Sequence, residues 1–281
     1  MECMNEKLLT RIGNLLRQAE GTDNEHEAAS FTEAAQRLAT SNSIDLELAR
    51  ARASDRDKPR VPITRMIEIG EKGKKGLRNY VQLFIAIAHS NDVIVDVART
   101  STFVIAHGFA DDIDVVEALY VSLVVQMVTA SDAYLSRGEW RSHQVTRVKT
   151  VEDFWTGRRS QVAVTKPMTK LVARMQFQAE FAECIGDRLA AARRDALDDA
   201  IRADDSEVGS STSTALVMRD KEVAVQDFYK QASSARGTWR GGRETAHSAH
   251  ARSAGRTAAQ QASLGADTAH TLGGASRALS R

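Results

Sequence analysis

The fold of this 281-residue chain is decided by the stretch Asp92-Val-Ile-Val-Asp-Val-Ala98-Arg-Thr-Ser-Thr102-Phe-Val-Ile-Ala106. Its two β-branched runs predict two strands, joined by a tight turn at Arg99-Thr-Ser101. The alternating run from Ile63 to Ile69 predicts another strand. Apolar residues at three- and four-residue steps predict one helix near Leu77 and a second near Ile113, which Asp111 or Asp112 would cap. The order β-α-β-β-α predicts a small sheet covered by two helices.

The N-terminal segment predicts a helical hairpin. Gly21-Thr-Asp-Asn24 is typical of a helix end followed by a new N-cap. We expect Leu15 and Leu38 to be buried against each other or against the sheet domain. The two apolar stripes comprise Leu8, Leu9, Ile12, Leu15, Leu16 and Ala19, then Ala28, Phe31, Ala34, Ala35, Leu38 and Ala39.

This hairpin resembles a known family. The stretch Lys7-Leu-Leu-Thr-Arg-Ile-Gly-Asn-Leu-Leu-Arg-Gln-Ala-Glu20 is followed by Glu27-Ala-Ala29, Ala34-Ala-Gln-Arg-Leu38 and Ile44-Asp45. The pattern is similar to domain of unknown function 2786, found in bacterial, plasmid and phage proteins, and covers about Asn5 to Ala49. The following unit, with its Phe181-x-x-x-Ile185-x-x-Arg188-Leu189 helix, resembles the family's usual companion domain, but Ala182-Glu183 stands where that domain usually has Gly. The resemblance implies an architecture and a mobile-element setting, and it carries over no catalytic residue.

The second half of the chain is less regular. Trp140 to Lys166 is polar and predicts irregular structure. Pro167 suits a helix start, and the helix after it should reach about Ala200. Leu216 to Gln231 predicts another helix. The last fifty residues hold thirteen Ala and seven Gly, so we expect loose order there, with an Ala-rich helix as the alternative.

We therefore expect a helix-rich α+β chain in four parts. Residues 1–48 form the helical hairpin and 49–62 a linker. Residues 63–203 form the α+β domain with its long helix. Residues 204–281 contain an acidic loop, a helix and a basic Ala/Gly-rich tail.

Composition excludes several classes. With 42% hydrophobic and 27% charged residues, the chain is neither collagen-like, nor fully disordered, nor an integral membrane protein. Its longest apolar run, Tyr120 to Ala130, is interrupted by polar residues, and the start lacks the build of a signal peptide. Two cysteines, Cys3 and Cys184, cannot form a disulfide framework. We expect a cytoplasmic protein with no membrane partner.

The net charge is only +1, but the charge is unevenly placed. Between Arg137 and Arg174 nine basic residues face three acidic ones. Basic residues neutralise phosphates and aromatic rings stack on unpaired bases, so this stretch predicts nucleic-acid binding, with solvated loops as the alternative. The candidate residues are Arg141, Arg147, Lys149, Trp155, Arg158 and Arg159.

Glu244-Thr-Ala-His247-Ser-Ala-His250 is a candidate metal cluster. On a helix, steps of three would place Glu244, His247 and His250 on one side, where a divalent ion can bind. The spacing differs from the H-E-x-x-H motif, and a solvated polar face is the alternative.

These observations predict a non-enzymatic accessory protein of phage or mobile-element type that binds nucleic acid without sequence preference. It would use no cofactor and no catalytic residue. Two alternatives stay open. One is a metal-dependent hydrolase that uses Glu244, His247 and His250. The other is a protein-interaction module whose hairpin docks a partner.

Overall fold

The computed structural model describes most of the chain. The described residues are 2–22, 24, 26–35, 38, 61–152, 155, 157–206, 214–239 and 246–264. Most of the predicted linker and of the acidic loop lies outside them, so the predicted domain boundaries stay a prediction.

Helices dominate the structure, and two small antiparallel sheets complete it, which confirms the α+β class. The helices are α1 (Glu2–Gly21), α2 (26–35), α3 (Leu77–His89), α4 (Ala110–Arg137), α5 (Lys170–Ser206), α6 (Thr214–Ala232) and α7 (Ala249–Gln261), with a 3-10 helix at Glu139–Ser142. The strands are β1 (Ile63–Glu68), β2 (Ile94–Val97), β3 (Phe103–Gly108), β4 (Gln144–Glu152), β5 (Arg159–Pro167) and β6 (Ala246–His247).

The first sheet has the strand order β1-β3-β2, with both pairings antiparallel. Its inner face presents Val104 and Ala106, which are fully buried under α3 and α4. Arg65 of β1 also reaches α4, where it pairs with Asp114 at 2.6 Å and with the buried Glu117 at 3.3 Å. The predicted order β-α-β-β-α is therefore confirmed.

The outer face of this sheet is held to α6 by a polar network around Asp96. His107 is 1% exposed and lies between Asp96 (Nε2 to Oδ2, 3.2 Å) and Thr64 (Nδ1 to Oγ1, 3.1 Å). From α6 and the residue after it, the Tyr229 hydroxyl donates to Asp96 Oδ1 at 2.7 Å and the Ser233 hydroxyl donates to Oδ2 at 2.6 Å. Asp96 and His107 thus both have hydrogen-bond partners within this network, as a low-polarity environment demands.

The main core lies between α3, α4 and α5. The chain has few aromatic residues, so aliphatic side chains fill most of this space. Phe84 and Tyr120 meet edge to face, with ring centroids 5.2 Å apart. The largest fully buried side chains there include Phe84, Leu83, Ile87, Leu123, Met127, Phe177, Phe181 and Ile185.

The N-terminal hairpin packs on this same core. Ile12 and Leu16 of α1 are 1% and 0% exposed, whereas Leu15 and Leu38 are half-buried against the core. Asn24 caps α2, since its side chain accepts from the His26 amide at 3.1 Å. The predicted turn and cap are confirmed.

Two predicted helix starts were wrong. Phe109 is the N-cap of α4, and neither Asp111 nor Asp112 caps it; both lie in its first turn, where they suit the helix dipole. Asp112 instead pairs with Lys221 of α6 at 2.8 Å. Pro167 is the last residue of β5, and α5 begins three residues later. A proline suits a strand end as well as a helix start, because both sites need no amide donor.

Residues 249–261 of the Ala-rich tail form helix α7, so the predicted alternative of an Ala-rich helix, and not loose order, describes this part of the tail. Small residues let α7 approach α5 closely: a Cβ on Gly255 would lie 2.3 Å from the Phe177 carbonyl oxygen. Arg188 donates to the carbonyls of Ala259 and Ala262 at 2.5 and 2.7 Å and so closes the end of α7. Residues 265–281 lie outside the described residues.

Helix α4 is also long and apolar enough to cross a membrane by length and composition alone. Within the described residues it is the one helix with this property, and 56% of its most apolar window is buried inside the protein. Ser122, Gln126 and Thr129 interrupt the apolar run of this helix, so the sequence pattern does not show its full apolar length.

Candidate nucleic-acid interface

Trp140 to Lys166 is largely a β-hairpin, which corrects the prediction of irregular structure. Strands β4 and β5 pair antiparallel over nine positions, from Gln144 opposite Pro167 to Glu152 opposite Arg159. We call residues 144–167 the arm. β6 adds a short third strand beside Thr146 and Arg147 at its base. β-Branched residues take five of the nine positions in β4 and three of nine in β5, and they are the signal in the sequence that indicates these strands.

The base of the arm is anchored in the protein, and the rest is exposed. Val145 is 1% exposed and belongs to the core. In β5 only position 164 is partly covered, and every other residue is exposed. Val148 and Val162 remain 52% and 44% exposed. The arm therefore offers a long surface to a partner.

Strand register gives the arm one basic face. Side chains alternate between the two faces of a hairpin, so position 147 of β4 shares a face with position 166 of β5. Those positions are Arg147 and Lys166, and no described acidic residue of the arm falls on that face. Lys149 lies in β4 opposite Val162. Glu152 lies on the opposite face, where its carboxylate accepts from Arg159 Nε at 3.0 Å. That pair is exposed and contributes little to stability.

The tip of the arm carries an aromatic ring and a further cation. Trp155 is 89% exposed. Arg158, which directly precedes β5, is exposed as well. Gly157 supplies the positive φ of +64° that the turn needs. Phe154 lies outside the described residues. An aromatic residue at such an exposed position is a candidate for stacking on a planar ligand.

Arg141 lies apart from the other five predicted residues. It belongs to the 3-10 helix, and its guanidinium carbon lies 5.1 Å from the centroid of the Trp140 ring. Trp140 is buried and donates its indole N–H to the Leu135 carbonyl at 3.0 Å. Arg141 therefore faces a cleft beside the arm, and the structure groups Arg147, Lys149, Trp155, Arg158 and Arg159 on the arm itself.

The candidate metal residues do not share one helix. Glu244 lies outside the described residues, His247 is exposed in β6, and Ser248 caps α7 by accepting from the Ala251 amide. His250 is in the first turn of α7 and His247 lies before that helix, so the step of three does not place His247 and His250 on one helical face. Across the described ranges, no three His, Cys, Asp or Glu side chains come together as a metal site would require.

His250 is instead part of an aromatic cluster. Its ring stacks on His143 with centroids 3.9 Å apart, and its Nδ1 lies 3.0 Å from the Tyr134 hydroxyl. Its Nε2 lies 3.7 Å from the Glu139 carboxylate. Burial raises the pKa of Tyr134 to about 12. These contacts fix α7 to the end of α4 and to the base of the arm.

Comparison with known proteins identifies the N-terminal hairpin. Residues 7–46 match the model of a family described as Protein of unknown function (DUF2786), which confirms the predicted resemblance for this segment. The match includes most of α1 and all of α2. No curated protein and no solved structure matches the chain.

Proposed function

We propose that this protein is a non-enzymatic accessory protein that binds nucleic acid without sequence preference, and that the arm is its binding surface. The observation that carries the proposal is the exposed hairpin with one basic face and with Trp155 exposed at its tip. The cytoplasmic location and the mobile-element setting belong to the same proposal.

The arm combines the two contacts that nonspecific binding needs. Lysine and arginine neutralise backbone phosphates and release counterions, which favours any sequence equally. An exposed aromatic ring stacks on a base, and every base has a face to offer. The basic face and the tip are parts of one hairpin, so a single strand can follow the arm and reach both.

In the family-matched hairpin, described apolar positions of α1 are buried in the protein's own core. Leu16 is fully buried and Ile12 nearly so. The exposed apolar residues that remain include Trp155, Val148 and Val162 of the arm. This distribution favours the arm over the N-terminal hairpin as the surface that meets a partner.

The test is a titration of fluorescently labelled single- and double-stranded DNA at several salt concentrations. Changing Arg158 and Arg159 to Ala should weaken binding and reduce the salt slope by about 1 to 2 units, at roughly 0.7–0.9 per lost phosphate contact. Trp155→Ala should weaken single-stranded binding by about 1–3 kcal/mol and duplex binding less.

The matched control replaces Arg78 and Arg219 with Ala. Both arginines are exposed on helices outside the arm, and the double change removes the same charge. The control should bind like the wild type. Equal loss in control and arm variants, or no complex with either DNA at low salt, would contradict the proposal.

A further inference from the structure

A second surface lies beside the arm, where the family-matched hairpin faces the rest of the protein. A cleft of about 820 Å³ opens between α1 and α2 on one side and α4, the 3-10 helix and α5 on the other. Ligand sites in proteins span roughly 300–1,000 Å³ and occur where separate structural units meet. The cleft has the size of a small-molecule site, and the hairpin supplies one of its walls.

Three cations line this cleft, and contacts hold two of them, Arg174 and Arg141, in place. Lys170 and Arg174 are four residues apart on α5 and so lie on the same side of it. Arg174 donates to the Glu20 carbonyl at 2.8 Å and to the Asp132 carboxylate at 3.3 Å, which holds its side chain in place. Arg141 lies over the Trp140 ring. A positive region held by packing loses little entropy when it binds an anion.

The remaining lining is small, with a few oxygen acceptors. Ala19, Ala28 and Ala29 leave open space on the hairpin wall, and Leu135 and Trp140 give an apolar floor. The carboxylates of Asp132 and Glu33 also line the cleft. The lining thus offers charge for an anion, apolar surface for a ring, and acceptors for hydroxyl or amino donors.

This combination restricts the occupant. A purely apolar molecule would displace water from the charged side chains of the lining, which costs free energy. An inorganic anion would leave most of the volume unfilled. A phosphorylated ring system that carries hydroxyl and amino donors matches all three parts of the lining.

We propose that the cleft binds a nucleoside monophosphate, with the phosphate at Arg141 and Lys170 and the nucleoside against the small-residue wall. The nucleotide comes either from solution or from the phosphorylated end of a strand. Only the second source rests on the proposed nucleic-acid binding, since the free nucleotide needs no arm.

The experiment is isothermal titration calorimetry of the full chain with each of the four ribonucleoside monophosphates. Inorganic phosphate and O-phosphoserine serve as anion probes. At least one nucleotide should bind, and Arg141→Gln or Lys170→Gln should weaken it roughly tenfold or more, as expected for the loss of a charge-assisted hydrogen bond. Arg219→Gln, at an exposed position of α6 outside the cleft and the arm, is the charge-matched control and should leave nucleotide affinity unchanged.

A second variant tests the cavity without removing a charge. Ala29 is exposed in the cleft wall, so Ala29→Trp should fill the space and abolish nucleotide binding. Ala224→Trp, at an exposed position of α6, is its control and should bind normally. Melting curves of both variants should match the wild type, which separates a filled cleft from a misfolded protein.

Oligonucleotides with and without a terminal phosphate distinguish the two sources. A strand-end site predicts that Ala29→Trp abolishes the preference for the phosphorylated end, while Trp155→Ala leaves that preference in place. The proposal is overturned if no nucleotide binds at millimolar concentration, if phosphate or O-phosphoserine binds as tightly as the nucleotides, or if Ala29→Trp binds them like the wild type. None of these outcomes bears on whether the arm binds DNA.

Discussion

Glu180 shows how single side chains hold the C-terminal helix in place. Its carboxylate is 3% exposed on α5 and accepts hydrogen bonds from Arg252 Nε at 2.6 Å and Arg256 Nε at 2.8 Å. Burial by itself would raise the pKa of Glu180, but the hydrogen bonds and charges of Arg256 and Arg252 hold that pKa below its ordinary value. The folded state therefore favours the ionised carboxylate more than the unfolded chain does.

This arrangement predicts how stability depends on pH. Because the folded pKa is lowered, the contribution of Glu180 is present above its unfolded pKa and is lost as the pH falls through the folded pKa. Glu180→Gln should lower the free energy of unfolding by about 3 kcal/mol near pH 7, since it leaves two arginines without their buried partner. Arg256 is 60% exposed, so water screens part of this loss.

Urea denaturation from neutral pH down to about pH 3 measures both effects. The variant should lose less stability on acidification than the wild type. Glu183→Gln is the control, because Glu183 is 53% exposed and its pair with Arg252 should contribute below about 1 kcal/mol. Parallel acid profiles for Glu180→Gln and the wild type would show that Glu180 does not contribute in this way.

Among the elements, α1 is the one whose role the sequence describes best. Its apolar stripe recurs at helical spacing, and the structure uses Ile12 and Leu16 of that stripe in the core. Arg17 adds a polar contact by donating to the Ile69 carbonyl at 3.0 Å. The family-matched segment is thus packed on the sheet domain through both apolar and polar contacts.

Leu16→Ala should lower the free energy of unfolding by about 2–5 kcal/mol, because it removes a fully buried side chain and leaves a cavity. Leu171→Ala on α5 makes the same chemical change where the side chain is 36% exposed, and it should cost much less. Chemical denaturation of the two variants gives the comparison. A loss below about 0.5 kcal/mol for Leu16→Ala would place α1 among surface elements.

The whole molecule depends on elements that are distant in sequence. α7 covers α5 and reaches α4, where Gln126 exchanges two hydrogen bonds with the Ser263 backbone, at 2.9 and 3.1 Å. α6 covers the outer face of the first sheet through Asp96. Helices α6 and α7 therefore cover surfaces of elements that lie earlier in the chain.

A chain that ends at Trp239 should therefore unfold at a markedly lower temperature than the full protein. It loses α7 and β6, so Phe177 and Phe181 lose part of their cover and the apolar surface exposed to solvent increases. A chain that ends at Leu264 retains every described contact of α7 and should melt close to the full protein. Calorimetry and binding of an apolar dye measure the difference. Equal melting temperatures for the two truncations would show that α7 adds nothing to stability.

Sequence alone predicted the hairpin and the β-α-β-β-α unit because their signals are local. The stripe that contains Ile12 and Leu16 repeats with the helical period, and the β-branched runs before and after Arg99 each predict a strand. Family resemblance added an independent check, since residues 7–46 carry it within those same helices. The basic stretch and Trp155 were also found by composition, and the structure groups most of those residues on one hairpin.

Tertiary structure decided what depends on contacts between distant residues. The sequence predicts irregular structure for the arm because exposed strands lack the apolar alternation of a buried one. The arm is a hairpin because the backbones of β4 and β5 pair with each other. The Ala-rich α7 packs on α5 because Gly255 allows a close approach and Glu180 accepts hydrogen bonds from its arginines. The weak apolar pattern of α7 does not predict this packing. The cleft at Arg141 and Arg174 joins residues from five elements, and no local spacing in the sequence predicts that they lie together. Periodicity determines which segments become helices and strands, whereas burial and pairing across the chain determine which of their side chains face one another.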